Sequence, residues 1–176
     1  LWEKPLEQRK VILLALRCPK ALGCVSSYWL WYGDFDWIVR QSEAVMKAYS
    51  VDRDRVYLSG WSGGSTYIGM NEPKWGDLFA AININAGGSP PLSGLDCSPC
   101  KTPVYYFMGG KNPLIELAES TRNSIQRCGH RLEWDFHPGL DHGGELRVLA
   151  SEATKNRILD WLLARRRSEN GCAVLE

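Results

Sequence analysis

The sequence predicts an α/β fold: a mostly parallel sheet with helices on both faces, in a single domain over residues 1–176. Three observations lead there. Short apolar runs recur along the chain, separated by segments of helical periodicity or by long connections. The first run, Val11 to Leu16, is continuously apolar, as in a strand buried on both faces. The loops with chemical interest, at 60–64, 109–113 and 137–144, all follow such runs. In a parallel sheet, that order places them at one edge, where ligands bind.

The elements follow in order. After Val11 to Leu16 comes an aromatic loop, Tyr28 to Trp37, and then a helix from Trp37 to Tyr49. Asp36 is placed to cap that helix, and Ile38, Val45, Met46 and Tyr49 form its inner face. Val51-Asp52-Arg53-Asp54 is a turn, Arg55 to Ser59 a strand, and a short helix ends near Met70, before Pro73. Phe79 to Ile84 is the next strand, leading into Asn85-Ala86-Gly87-Gly88 and a loop that runs to Pro103. Val104 to Met108 is a strand, and Pro113 to Cys128 a helix with Ile115, Leu117, Ala118 and Ile125 inward. Leu132 to Phe136 is the last strand. The final helix, Ser151 to Arg165, turns Ile158, Leu159 and Leu162 inward.

Composition narrows the function. Hydrophobic residues make up 44% and charged residues 23%, the balance of a globular chain. Lys plus Arg number 21 against 20 Asp plus Glu, so no overall field favours nucleic acid or an anionic membrane as a partner. The one basic run, Arg165-Arg166-Arg167, reads as a solvated helix end. No apolar run reaches the roughly 20 residues that span a bilayer. The chain opens Leu-Trp-Glu, as a processed or trimmed chain does, and Leu175-Glu176 reads as a cloning remnant.

The chain has six cysteines, which allow 15 pairings. Cys18 and Cys24 share one loop, and Cys97 and Cys100 another. Disulfides are the first reading, and they would place the protein in an oxidising compartment, secreted or periplasmic. Buried thiols and a metal site are the alternatives, although the loops hold no nearby histidine. A thiol-redox role for Cys97-Ser98-Pro99-Cys100 is disfavoured because the motif precedes a strand instead of opening a helix.

Gly60-Trp61-Ser62-Gly63-Gly64 is the strongest chemical signal. A nucleophile on a sharp strand-to-helix turn needs a strained backbone and small neighbours, and glycines flank Ser62 on both sides. The helix start then offers the Gly63 N–H to an oxyanion. His142 lies beyond the last strand, as the base does in the order serine, acid, histidine. His137 is the lesser candidate, suited to packing, and His130 falls at the opposite sheet edge. The acid belongs after Val104 to Met108, where Asn112 stands, with Glu116 one helical turn on as substitute. An asparagine can hold an imidazole tautomer but cannot balance an imidazolium. On that reading, Asn112→Asp raises kcat at least about tenfold. Trp61 and Trp31, with Trp29 and Trp37, offer a flat surface for substrate or for packing.

VDRDRVYLSGWSGGS, LFAAININAGG, YYFMGGKNP and HPGLDHGG resemble the extracellular polyhydroxybutyrate depolymerase and feruloyl or acetylxylan esterase group of α/β-hydrolases. The resemblance covers roughly residues 11 to 164. It implies hydrolysis of carboxylic esters, small or polymeric, without cofactor or metal, with Ser62 as nucleophile and His142 as base. The family's aspartate falls on Asn112. Its early strands and their His-Gly loop, which supplies a second oxyanion donor, have no counterpart before Val11. A non-catalytic binding protein on the same fold is the second reading.

Overall fold

The most apolar runs form the centre of the sheet. The computed structural model describes residues 2–25, 29–91, 97–167 and 172. Tyr28, the start of the aromatic loop, and Leu175-Glu176 lie outside the described residues. Four parallel strands stand side by side in chain order: β1 (Tyr57–Trp61), β2 (Ala81–Asn85), β3 (Val104–Gly109) and β4 (Leu132–His137). Every residue of β2 and β3 is buried, whereas the flanking β1 and β4 are partly open.

Alternation along the strands divides the core between the two faces. Ile82, Ile84, Val104, Tyr106 and Met108 share one face with Ile38 of α2 (Asp36–Ala48), Tyr67 and Ile68 of α3 (Gly63–Met70), and Ala118 and Ile125 of α4 (Ile115–Arg127). Ala81, Tyr105 and Phe107 share the other with Leu149 of α5 (His142–Leu149) and Ile158 and Leu162 of α6 (Glu152–Leu163). An N-terminal helix, α1 (Glu3–Gln8), meets α6 through the Arg9–Asp160 ion pair just beyond it. Neither α1 nor the 3-10 turns Lys20–Leu22 and Glu72–Asp77 have a periodic signal long enough to read from sequence.

Several expectations shift. Val11 to Leu16 forms no strand, and Ile12, Leu13 and Leu14 are 49%, 52% and 38% exposed. A strand requires a laddered neighbour. The run instead lies across the free edge of β1, where it lines a cavity of about 520 Å³ with Ile38, Met46 and Leu58. β1 begins two residues later than expected and therefore runs into Ser62 directly. β2 shifts the same way. Tyr49 and Leu117, expected inward, are 62% and 44% exposed.

Asp36 is the first residue of α2 and not its cap. Its N–H is accepted at 3.0 Å by Asp34, and this bond holds the Asp34 carboxyl below its usual range. The basic run is not simply solvated. Arg165 stacks over Trp161 at 3.8 Å, Arg166 pairs with Asp54, and the Arg167 N–H donates to the Asp54 carbonyl.

All six cysteines are paired: Cys18–Cys24, Cys97–Cys128 and Cys100–Cys172. Cys97 and Cys100 take different partners, so the CxxC redox reading falls. No helix among the described residues is long and apolar enough to cross a membrane.

Candidate active site

Ser62 sits where β1 hands over to α3. Its φ of 51° and ψ of −115° lie where a non-glycine residue is strained. The strain is held from both sides. The Ser62 N–H donates to the Asn85 carbonyl at 2.9 Å, one step past the β1–β2 ladder, and the Ser62 carbonyl accepts from Thr66 N–H at 2.9 Å. Asn85 is fixed in turn by Ser65 Oγ, which bonds both its N–H and its carbonyl. Gly63 is the first residue of α3, so its N–H has no acceptor within the helix and faces the positive dipole end.

The two flanking glycines are not equivalent. A Cβ on Gly60 would meet Ser65 N at 2.7 Å and Gly64 C at 2.8 Å, both backbone atoms of the α3 first turn. One on Gly64 would meet nothing within 4 Å. Gly60→Ala is therefore expected to displace the turn at about 1–3 kcal/mol of stability, whereas Gly64→Ala melts with the native protein. Thermal melts of the two variants check this, and equal melting points would contradict it.

His142 lies at the start of α5, not in a loop. Asp141 caps that helix by accepting the Gly144 N–H at 2.6 Å, and Gly143 and Gly144 are helical. Trp61, next to Ser62 in the chain, stacks on the His142 imidazole at 4.9 Å and 20°. This contact sets the imidazole beside the nucleophile turn and gives Trp61 a partner other than substrate. Trp31 packs into the core and is not open to a ligand. It is 5% exposed, stacks on Tyr67 at 5.3 Å, and donates its indole N–H to the Leu22 carbonyl.

The acid position departs furthest from expectation. Asn112 is buried and does face His142, but through its amide nitrogen, with Nδ2 at 2.9 Å from Nδ1. Its carbonyl oxygen is taken by Leu114 N–H at 2.8 Å, so it accepts nothing from the ring. Glu116 is exposed and joins none of these contacts. The carboxylate present is Glu145, completely buried on α5. Its Oε2 lies 3.2 Å from His142 Nδ1 and accepts from Asn112 Nδ2 at 2.5 Å, and its Oε1 accepts the Gly109 N–H at 2.5 Å. The available signal was spacing: His142 and Glu145 stand three apart, on one face of a helix.

The other histidines serve structure. His137 Nε2 meets Asp135 Oδ1 at 2.9 Å. His130 is buried at the opposite sheet edge, where Nδ1 accepts Thr102 N–H at 2.9 Å and Nε2 meets the Glu72 carboxylate.

A cavity of about 480 Å³ opens beside the nucleophile turn, with Trp61, Gly64, Trp29, Tyr67, Leu16 and Leu146 in its walls. Ser62 and His142 stand outside this wall and outside that of the larger cavity.

No family model and no curated protein matches the chain. Solved structures do match. A thermostable esterase aligns with a TM-score of 0.56 at 17% identity, over 74% of this chain and 36% of its own. SOBER1 of Arabidopsis thaliana aligns at 0.56 and 19%, over 72% of this chain and 58% of its own. A carboxylesterase of Bacillus cereus aligns at 0.53 and 14%, over 76% and 65%. The fold is that of the α/β-hydrolases, and the chain spans between about a third and two thirds of these three proteins.

Proposed function

We propose that the protein hydrolyses carboxylic esters through an acyl-serine intermediate. The observation that carries this is the strained Ser62 at the β1–α3 turn, with His142 held beside it by Trp61. In the reaction, His142 takes the Ser62 proton as Oγ bonds the acyl carbon, and Gly63 N–H donates to the oxyanion. The proton passes to the departing alcohol. Water then attacks the acyl-serine through the same base, releasing the acid and restoring Ser62.

We take the ester to be of the polyester, feruloyl or acetyl class that the resemblance of the sequence segments implies. The three disulfides suit an oxidising compartment, so we place the protein outside the cell or in the periplasm.

A fluorophosphonate probe reacts only with an activated serine. It is expected to label the native protein stoichiometrically, with the adduct mapped by mass spectrometry to the peptide containing Ser62. Absence of labelling, together with no turnover of short p-nitrophenyl esters, would leave a binding protein on a hydrolase fold.

A further inference from the structure

The hydrogens of Asn112 can be counted. Its Oδ1 is committed to Leu114, which turns Nδ2 toward the site. The two Nδ2 hydrogens face three neighbours: the Ala86 carbonyl at 3.2 Å and Glu145 Oε2 at 2.5 Å, which can only accept, and His142 Nδ1 at 2.9 Å, which can instead carry a hydrogen of its own. With both oxygens served, none remains for His142 Nδ1. That nitrogen therefore keeps its own hydrogen and donates it to Glu145 Oε2. Nε2 is left with the free lone pair that a base requires.

We infer that Glu145, a residue on the helix that His142 itself opens, is the carboxylate that orients His142 and balances its charge. Asn112 is the neutral clamp that holds this carboxylate in place. The consequence for turnover rests on the ester-hydrolase reading; the pairing is a property of the resting protein.

Several observations support the role. Glu145 is fully buried, and its one ion pair among the described residues is with His142. It lies in the first turn of α5, where the helix dipole favours a negative charge. Burial pushes its carboxyl above the usual range, opposed by the Gly109 N–H, Asn112 and His142. The groups around it leave it to this task. Tyr106 on β3 feels its charge but donates its hydroxyl to the Gly87 carbonyl at 2.6 Å. Asp141 is occupied with the helix cap.

The test compares Glu145→Gln and Glu145→Asp with the native protein on a soluble ester. In Glu145→Gln, a side-chain N–H facing His142 Nδ1 imposes the wrong tautomer. The same change in a serine-protease triad costs about 10⁴ in kcat. A loss of about 10²–10⁴ in kcat with little change in KM is expected here. The acid limb of kcat/KM should also move to lower pH, since the protonated imidazole loses the carboxylate that favours it. Glu145→Asp is expected to recover part of the rate, and Glu116→Gln to change nothing. A Glu145→Gln enzyme with native kcat and an unmoved acid limb overturns the inference.

Tautomer assignment by ¹H–¹⁵N NMR of the native protein provides a check that does not depend on how the variants fold. His142 should be protonated at Nδ1, and a ring protonated at Nε2 alone overturns the inference. If Nδ1 is protonated but the fluorophosphonate fails to label Ser62, the pairing stands and the esterase reading falls.

Discussion

Ser62→Ala is expected to abolish ester turnover without lowering the melting temperature. Removing the nucleophile of a serine hydrolase costs up to about 10⁶ in kcat, because base and oxyanion donors alone form no acyl intermediate. Alanine keeps the Cβ, so the backbone at φ 51° is equally strained and stability should not change. Ser62→Gly separates function from stability. Strain of this kind costs about 1–3 kcal/mol. Glycine removes it while adding about 0.5–1 kcal/mol of unfolded-state entropy. The glycine variant should therefore be inactive and melt at or above the alanine variant. Melting curves and p-nitrophenyl ester assays on both measure this. Residual turnover above about a tenth of native in Ser62→Ala would remove the esterase assignment.

Much of the candidate site is legible in the sequence because its signals are local. Gly60, Ser62 and Gly64 declare a strand-to-helix turn within five residues, and position after the last strand, ahead of Gly143-Gly144, points to His142 among three histidines. What stayed hidden was not local. Val11 to Leu16 has the composition of a buried strand, but no pattern within a run supplies the neighbour it must ladder with. Trp31 reads equally as a ligand platform or as core until Tyr67, thirty-six positions on, is known to stack on it.

Glu145 was missed for another reason. His142-Gly143-Gly144 reads as a loop, and two glycines there mask the 3.6-residue period that aligns His142 with Glu145. Asp141 was the available correction, being a good N-cap that announces a helix at His142. Asn112 stands beside His142 but turns its amide nitrogen, not its carbonyl, toward the ring. Sequence places the side chain in the site; only the Leu114 N–H decides which end faces the ring.

That reversal changes the expected outcome of Asn112→Asp. Sequence alone suggests that a carboxylate there restores a missing acid and raises kcat. In the structure, a second carboxylate oxygen would replace Nδ2, 2.5 Å from Glu145 Oε2 and 3.2 Å from the Ala86 carbonyl. Both contacts change from donor against acceptor to acceptor against acceptor. Two buried carboxylates that close hold one proton between them, so one of the pair titrates well above its ordinary range. The sign follows. The unfolded chain releases that proton near pH 4 (about the ordinary Asp value), whereas the folded chain retains it. Stability is therefore retained below about pH 4 and is lost as pH rises through the folded value. The variant should melt near the native protein in acid and progressively below it toward about pH 8. The limit is the roughly 3–5 kcal/mol of an uncompensated buried charge. Turnover should not rise, because His142 already has its carboxylate. Melting curves of both proteins between about pH 4.5 and 8.5, with kcat measured alongside, decide the matter. A tenfold gain in kcat with a parallel pH dependence of melting would show that the introduced aspartate takes over the histidine, and that Glu145 was only packed against it.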